Sequence, residues 1–265
     1  MNIPTQIIRE PESAYHEARK THLSSHALAD FRKSPYLFKA KRDGLIVDED
    51  RPAFLLGRAA HKLILEGEEA YKEAYAFGGP INPKTGEPFG AATKAFADWS
   101  ASIGKPVLTL EQDLLVRAMW ASVKGHLEAW RLFKTGIPEG VLRAPVLGIP
   151  CQIRMDWFNP ALGLVDLKTA DNLDFFAGDA RRYGYFHQMA FYQVVLEAAL
   201  KLRFGVHIVA VEKKPPFRTG VWRIPEELLA ISRLQNQEAM EEFAQCQERD
   251  LWPTRFEGIR EFEIV

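Results

Sequence analysis

The sequence predicts one α/β domain in which a helical N-terminal section wraps a central sheet. Two features carry that prediction. Up to about residue 136, apolar residues recur mainly at helical spacing. From about Gly140 the pattern changes to short apolar runs separated by turn residues, with further helices between and after them.

Taken in order, Ser24 or Ser25 in "THLSSHALADFRKSPYLFKAKRDG" can cap a helix bearing Leu28 and Phe31, which Pro35 disturbs midway. "RPAFLLGRAAHKLILEG" spaces Leu55, Leu56, Ala59, Ala60, Leu63 and Ile64 as a helix between Pro52 and Gly67. The glycine- and proline-rich run 77–90 reads as a loop, and a short helix with Phe96 and Trp99 follows. Thr109 and Gln112 have capping-box spacing and open a helix expected to run to Gly136. "VLRAPVLGIPCQIRMDWF" and "GLVDLKTA" then predict an antiparallel meander of three strands. A helix over roughly Arg181–Leu202, a buried strand "FGVHIVAVEK", an edge strand "TGVWRIP" and a long amphipathic helix complete the chain. The expected organisation is one domain over 1–265: a helical section over about 1–136, a sheet core over about 137–224, and a C-terminal helix and tail over about 225–265.

With 265 residues, 47% hydrophobic and 26% charged, the chain has the make-up of a globular protein able to bury a sizeable core. A net charge of −1 means that any nucleic-acid surface must gather its positive charge locally. Cys151 and Cys246 are the only cysteines, too few for a four-cysteine zinc or iron–sulfur site, and they suggest no disulfide framework. Neither a signal-length apolar core at the N-terminus nor an 18-residue apolar stretch is present, so the expectation is a soluble, cytoplasmic protein without membrane contact. "NPKTG" lacks the glycine before lysine that a phosphate-binding loop needs, and no G-x-G-x-x-G or G-x-S-x-G occurs.

Chemistry concentrates in "RMDWFNPALGLVDLKTAD". Asp166 and Lys168, at i and i+2 of a strand, share a face, and the hairpin turn lets Asp156 approach it. Converging carboxylates make a hard-oxygen site for Mg²⁺ or Mn²⁺, and a neighbouring lysine can stabilise a phosphate or position or deprotonate a water. On spacing alone, a surface hairpin with cross-strand ion pairs remains an equal reading. Gln188 and Tyr192, at i and i+4, share a helix face. His61 on its apolar helix is either a metal ligand or a core histidine.

G-x-x-x-H (Gly57 to His61), Asp156, D-x-K (Asp166 to Lys168) and Q-x-x-x-Y (Gln188 to Tyr192) follow the motif order of RecB-type nucleases. "FLLGRAAHKLILEG", "NPKTGEPFG", "VLTLEQ", "CQIRMD", "DLKTADN" and "YGYFHQMAFY" more closely resemble RecE-type, exonuclease VIII-like nucleases of phages and prophages, over about Leu23 to Tyr192. The resemblance implies a PD-(D/E)xK restriction-endonuclease-like core, a central mixed sheet flanked by helices. It implies His61, Asp156, Asp166 and the backbone carbonyl of Leu167 as metal ligands and Lys168 as the catalytic lysine. Gln188 and Tyr192 would orient the lysine, the water or the DNA, so that Asp156, Asp166, Lys168, Gln188 and Tyr192 form the catalytic set. Arg154 and Thr169 are candidate phosphate contacts, and Tyr185 or Phe186 a base-stacking ring. Two departures are Met155, where the family has proline before the first Asp, and aspartate rather than glutamate in D-x-K.

The same resemblance implies a Mg²⁺-dependent, two-metal exonuclease that digests duplex DNA processively 5′→3′ from an end and leaves 3′ single strands for recombination. Mn²⁺ would substitute, and no iron–sulfur cluster is expected. Implied partners are double-stranded DNA ends, a single-strand annealing protein and further copies in a ring, with the chain phage- or prophage-encoded in a bacterial host. Three basic groups could line such a ring: Lys39, Lys41 and Arg42; Arg181 and Arg182; and Lys213, Lys214 and Arg218. Competing readings are a DNA-end-binding module without turnover and an endonuclease or single-strand nuclease on the same fold.

Overall fold

The computed structural model describes residues 3–47 and 52–261. Five strands form one sheet in sequence order: β3 (Ile137–Val146), β4 (Ile149–Asn159), β5 (Gly163–Ala170), β6 (Val206–Glu212) and β7 (Thr219–Arg223). β3, β4 and β5 make the expected antiparallel meander, β6 runs parallel to β5, and β7 runs antiparallel to β6. Between β5 and β6 the chain passes through α9 (Phe176–Arg182) and α10 (Tyr185–Leu200), the crossover that a parallel pair requires. The sheet is therefore mixed.

Both faces are buried. Leu164 and Ala170 of β5 join a core with Leu28, Phe31, Met189, Phe191, Val195 and Phe243. These come from α2 (Ser25–Lys33), α10 and α11 (Glu226–Arg249). Val165 and Leu167, one residue out of phase, join the opposite core with Ala59, Ala60, Leu63, Met119 and Val123. Those residues lie on α4 (Pro52–His61), the turn after it, and α7 (Leu110–Gly125). Strand alternation thus puts Asp166 and Lys168 on the α10 side and Thr169 on the α4 side. Such a three-layer arrangement explains why β5 and β6 read as nearly continuous apolar runs.

The helical section is more broken than its periodicity suggests. The helix over residues 24–42 is two, α2 and α3 (Pro35–Arg42), because the residue before Pro35 is driven out of helical geometry. Ser34 there is extended, and its hydroxyl accepts from the Leu37 N–H at 3.2 Å, capping α3. α4 passes at His61 into a π-helical turn over Lys62–Glu66, and beyond Gly67 (φ 86°) the chain continues as α5 (Gly67–Ala74) rather than stopping. The 77–90 loop is bracketed by a two-residue parallel pair, β1 (Ala76–Phe77) with β2 (Val107–Leu108), and α6 (Lys94–Ile103) follows it. The helix expected to reach Gly136 breaks at His126, whose ring accepts from the Ala129 N–H and caps α8 (Leu127–Phe133). The one over 181–202 is interrupted at Gly184 (φ 71°). Near the N-terminus, α1 (Glu12–Glu17) lies against the sheet, with Ile8 bridging Val141. Among the described residues no helix is long and apolar enough to cross a membrane.

The predicted capping box at α7 is present: Thr109 Oγ1 accepts from Gln112 N at 3.1 Å, and Gln112 Oε1 accepts from Thr109 N at 2.9 Å. Thr109→Ala removes one arm and leaves a helix N–H without its partner. The expected loss is about 1 kcal/mol, read by calorimetry as a fall of about 2–4 °C in Tm.

Candidate active site

The centre of the site is a place where β4 loses both neighbours. Its pairing with β3 runs from Val146↔Ile149 to Ile137↔Phe158 but skips the step that would set Glu139 against Asp156. Its pairing with β5 ends at Trp157↔Val165, one step before Asp156 would meet Asp166. Asp156 repairs part of the gap with its side chain, Oδ2 accepting from the Leu167 N–H at 2.8 Å. Separating the strands here opens room between two carboxylates that a regular ladder would close.

Around that gap the motif residues converge. His61 Nδ1 lies 3.6 Å from Asp156 Oδ2, and the Leu167 backbone also hydrogen-bonds the imidazole. Lys168 Nζ is 2.6 Å from Asp166 Oδ2 and sits 4.9 Å from the Tyr185 ring centroid. Gln188 Nε2 donates to Asp166 Oδ1 at 3.5 Å and to Tyr192 Oη at 3.3 Å. Tyr192 itself is buried in the core and is joined to the site through Gln188. The predicted i, i+4 pair therefore acts as a strut: tyrosine holds glutamine, and glutamine holds the aspartate.

Gly57 explains why the histidine motif begins with glycine. A Cβ there would stand 3.3 Å from Thr169 Oγ1, so its absence lets α4 lie close on β5 and brings His61 over Asp156. Thr169 thereby lies under α4, on the face of β5 opposite Lys168. Met155 is fully buried in the core and offers nothing to the site.

Charge is arranged under strain. Burial raises the Asp166 carboxyl from 3.8 to about 6, with Asp156 adding to the shift and Lys168 opposing it. Asp156 is raised as well, again chiefly by burial. Burial pushes His61 down from 6.5 to about 4, keeping the imidazole neutral and able to donate a lone pair. For Lys168, burial favours the neutral amine, but Asp166 and Asp156 outweigh it, so the ammonium stays charged. That charge disfavours a base role for the lysine and favours stabilisation of a phosphate.

Two residues of the site were not read from sequence. Glu139 faces Asp156 across the unpaired step, and burial, then Asp156, pushes its carboxyl up to about 7. Its segment, "GIPEGVL", gives no periodic cue. His26, in the first turn of α2, is lowered by burial and senses the charges of Lys168 and Asp166, which places that turn beside the site. Its neighbours in sequence mark only a helix start.

A divalent cation fits this donor set. Asp166 Oδ2 is buried, and no donor meets it in hydrogen-bonding geometry although the lysine charge is near. Two carboxylates with raised pKa values share the gap with a neutral imidazole, and hard oxygens suit a hard ion. As they stand, no three His, Cys, Asp or Glu among the described residues form a closed cage. Asp166 is drawn instead towards Lys168 and Gln188.

The basic groups divide sharply. Lys39 pairs with Asp43 at 2.5 Å and Lys41 with Asp30 at 2.9 Å, and Arg42 lies over the Phe38 ring. Lys213 pairs with Asp171, and Arg218 is held by Glu212, Asp174 and Asn172, an arrangement that holds the β6–β7 turn. Arg181 and Arg182 have no carboxylate partner among the described residues; Arg182 lies over the exposed Tyr183 ring at 5.8 Å. A cavity of about 740 Å³ beside α2 and α3 includes His26, Lys41 and Arg42 but none of the motif carboxylates.

Comparison with known proteins bears on the fold and the family. No curated protein matches the chain. A crystal structure from Eubacterium rectale, described as a "putative exonuclease", superposes with a TM-score of 0.67 at 16% identity and covers 97% of each chain, which establishes the shared fold. The model of a family described as a PDDEXK-like domain of unknown function (DUF3799) matches residues 24–263, a span containing every motif residue above. The chain belongs to that PDDEXK-like family.

Proposed function

We propose that this chain is a Mg²⁺-dependent deoxyribonuclease that degrades linear duplex DNA from its ends, 5′→3′, and leaves 3′ single-stranded tails for recombination. The observation that carries the nuclease reading is the interruption of both β4 ladders at Asp156, with Asp166, Lys168 and His61 at the gap. A regular surface hairpin would close both ladders and pair its charges in solvent, whereas this one buries them.

His61, Asp156, Asp166 and the Leu167 carbonyl would hold the divalent ions, which when bound supply an activated water and a counter-charge to the leaving oxygen. The chain's own groups do the rest. Lys168 sets a fixed positive charge beside the scissile phosphate, and Gln188, braced by Tyr192, holds Asp166 in register. Arg154, two residues before Asp156, supplies a phosphate contact. Tyr185 packs on the lysine and limits its rotamers. Arg181 and Arg182, without a carboxylate partner among the described residues, would extend the positive surface along the entry to α10.

Polarity, processivity, a ring of several copies and an annealing partner rest on the resemblance to RecE-type enzymes. For a ring, the exposed Ile231 and Leu234, one turn apart on α11, offer apolar contact.

Digestion of 5′- and 3′-labelled linear duplex with Mg²⁺, beside an EDTA control and a closed circle, tests the proposal. Metal-dependent loss of the linear DNA alone, with early release of the 5′ label, is the expected result. Cutting of the circle would make the enzyme an endonuclease. Binding without cleavage of either substrate would make it an end-binding module.

A further inference from the structure

Glu139 sits in a conformation that its residue type disfavours. Its φ is 52°, in the left-handed region, inside β3 and on the step that fails to pair with Asp156. The side chain is only 20% exposed, and its carboxylate lies in the field of Asp156 and Glu66. Backbone strain, burial of a charge and like-charge neighbours all work against it, and an apolar residue at this position would carry neither of the last two. Strain of this kind persists where the surrounding structure imposes it, which directs attention to what the carboxylate touches.

It touches Arg154. Glu139 Oε2 lies 2.6 Å from Arg154 Nε, the inner edge of the guanidinium. At the outer edge, Nη2 has only a 3.5 Å contact with Glu12, a largely exposed residue of α1, and Nη1 has no partner among the described residues. The Tyr15 ring, 5.6 Å from Arg154 Cζ, packs beside the group. An arginine pinned at Nε keeps its two terminal nitrogens as a planar pair of donors, the shape that meets two oxygens of one phosphate. A flexible glutamate at 3.5 Å is a partner that an incoming phosphate can displace.

We propose that Glu139 is a positioning residue: it fixes Arg154 by its Nε edge so that Nη1 and Nη2 clamp a backbone phosphate of the DNA strand beside Asp156, with Glu12 holding that place until DNA arrives. The inference rests on the nuclease reading and on Arg154 as its phosphate contact.

A double-mutant cycle tests it through binding rather than turnover. Affinity for a short duplex is measured in EDTA, over a salt series, for wild type, Glu139→Gly, Arg154→Ala and the double variant. Glycine relieves the left-handed backbone, so Glu139→Gly is expected to keep or raise the Tm while weakening DNA binding about tenfold. Arg154→Ala should weaken binding similarly and lower the salt slope by about one. The double variant should be no weaker than Arg154→Ala, and Glu139→Gln, which retains an acceptor for Nε, should recover part of the loss. Equal effects of Glu139→Gly with and without Arg154 would overturn the proposal. So would unchanged binding in EDTA coupled with lost Mg²⁺-dependent cleavage, which would put Glu139 among the cation's ligands. Wild-type protein that neither binds nor cuts DNA would remove the nuclease reading itself, a result distinct from either.

Discussion

Lys168→Ala is expected to slow phosphodiester cleavage by about 10²–10³-fold, the range for removing one preorganised charge from a transition state. Duplex binding measured in EDTA should stay within a few-fold of wild type. The two effects separate because the lysine is largely buried, 17% exposed, with its ammonium held between Asp166 and the Tyr185 ring. Its charge acts at short range in a poorly solvated site, whereas under the proposed function duplex affinity would come from exposed cations such as Arg181 and Arg182. Parallel loss of binding and cleavage would make Lys168 a binding residue. Unchanged cleavage would reduce it to the counter-ion of Asp166.

The same substitution has a pH signature. Asp166 is raised from 3.8 to about 6, so between those values the folded state keeps a proton that the unfolded chain has released. Stability from this group is full below about 3.8 and is lost as pH rises through about 6. His61 runs the other way: lowered from 6.5 to about 4, its contribution is present above 6.5 and lost as pH falls towards 4. Removing Lys168 removes the cation that holds Asp166 down, so the carboxyl rises further and the loss extends to higher pH. The Tm gap between wild type and Lys168→Ala should therefore widen from about pH 5 to about pH 8, and Mg²⁺ should narrow it at the higher pH. A gap independent of pH would mean that lysine contributes packing alone.

What was legible in the sequence was what residue type and spacing encode. The D-x-K strand, the paired Gln188 and Tyr192, and the Thr109 capping box are local patterns, and each is present. The break at Ser34–Pro35 was half visible, since proline marks the disturbance but not that Ser34 caps a new helix. The break at His126 was hidden because the apolar period continues across it. Glu139 could not be read at all: its place beside Asp156 lies in a backbone angle and in a skipped register step, and neither is written in the residue name. Gly57 shows the intermediate case. Its place in the motif was plain, but the reason, room for Thr169 beneath α4, exists only once β5 and α4 are packed.

Gly163→Ala should be among the most damaging single substitutions in the chain, costing roughly 3–5 kcal/mol. Gly163 opens β5 with a φ of 97°, and an added Cβ would lie 2.1 Å from the Gly205 carbonyl oxygen and 2.9 Å from Gly205 C and N. Those atoms are backbone at the entry to β6, and Gly205 O already accepts from Leu164 N at 2.9 Å, so no side chain can swing aside. The preceding turn is equally fixed, with Asn159 Oδ1 accepting from both Ala161 N and Leu162 N. β5 must therefore shift against β6, and Asp166 and Lys168 move with it. A displacement of about 1 Å at reacting groups costs about 10²-fold in rate, so activity should fall even below the lowered Tm. Gly148→Ala is the control. It lies in the other hairpin turn at a φ of 77°, but nothing stands within 4 Å of its Cβ. Only the left-handed penalty of about 1–2 kcal/mol applies there, and the site lies beyond its reach. If both variants lose the same stability and keep the same rate, close packing of β5 on β6 is not what holds the carboxylate and lysine in place.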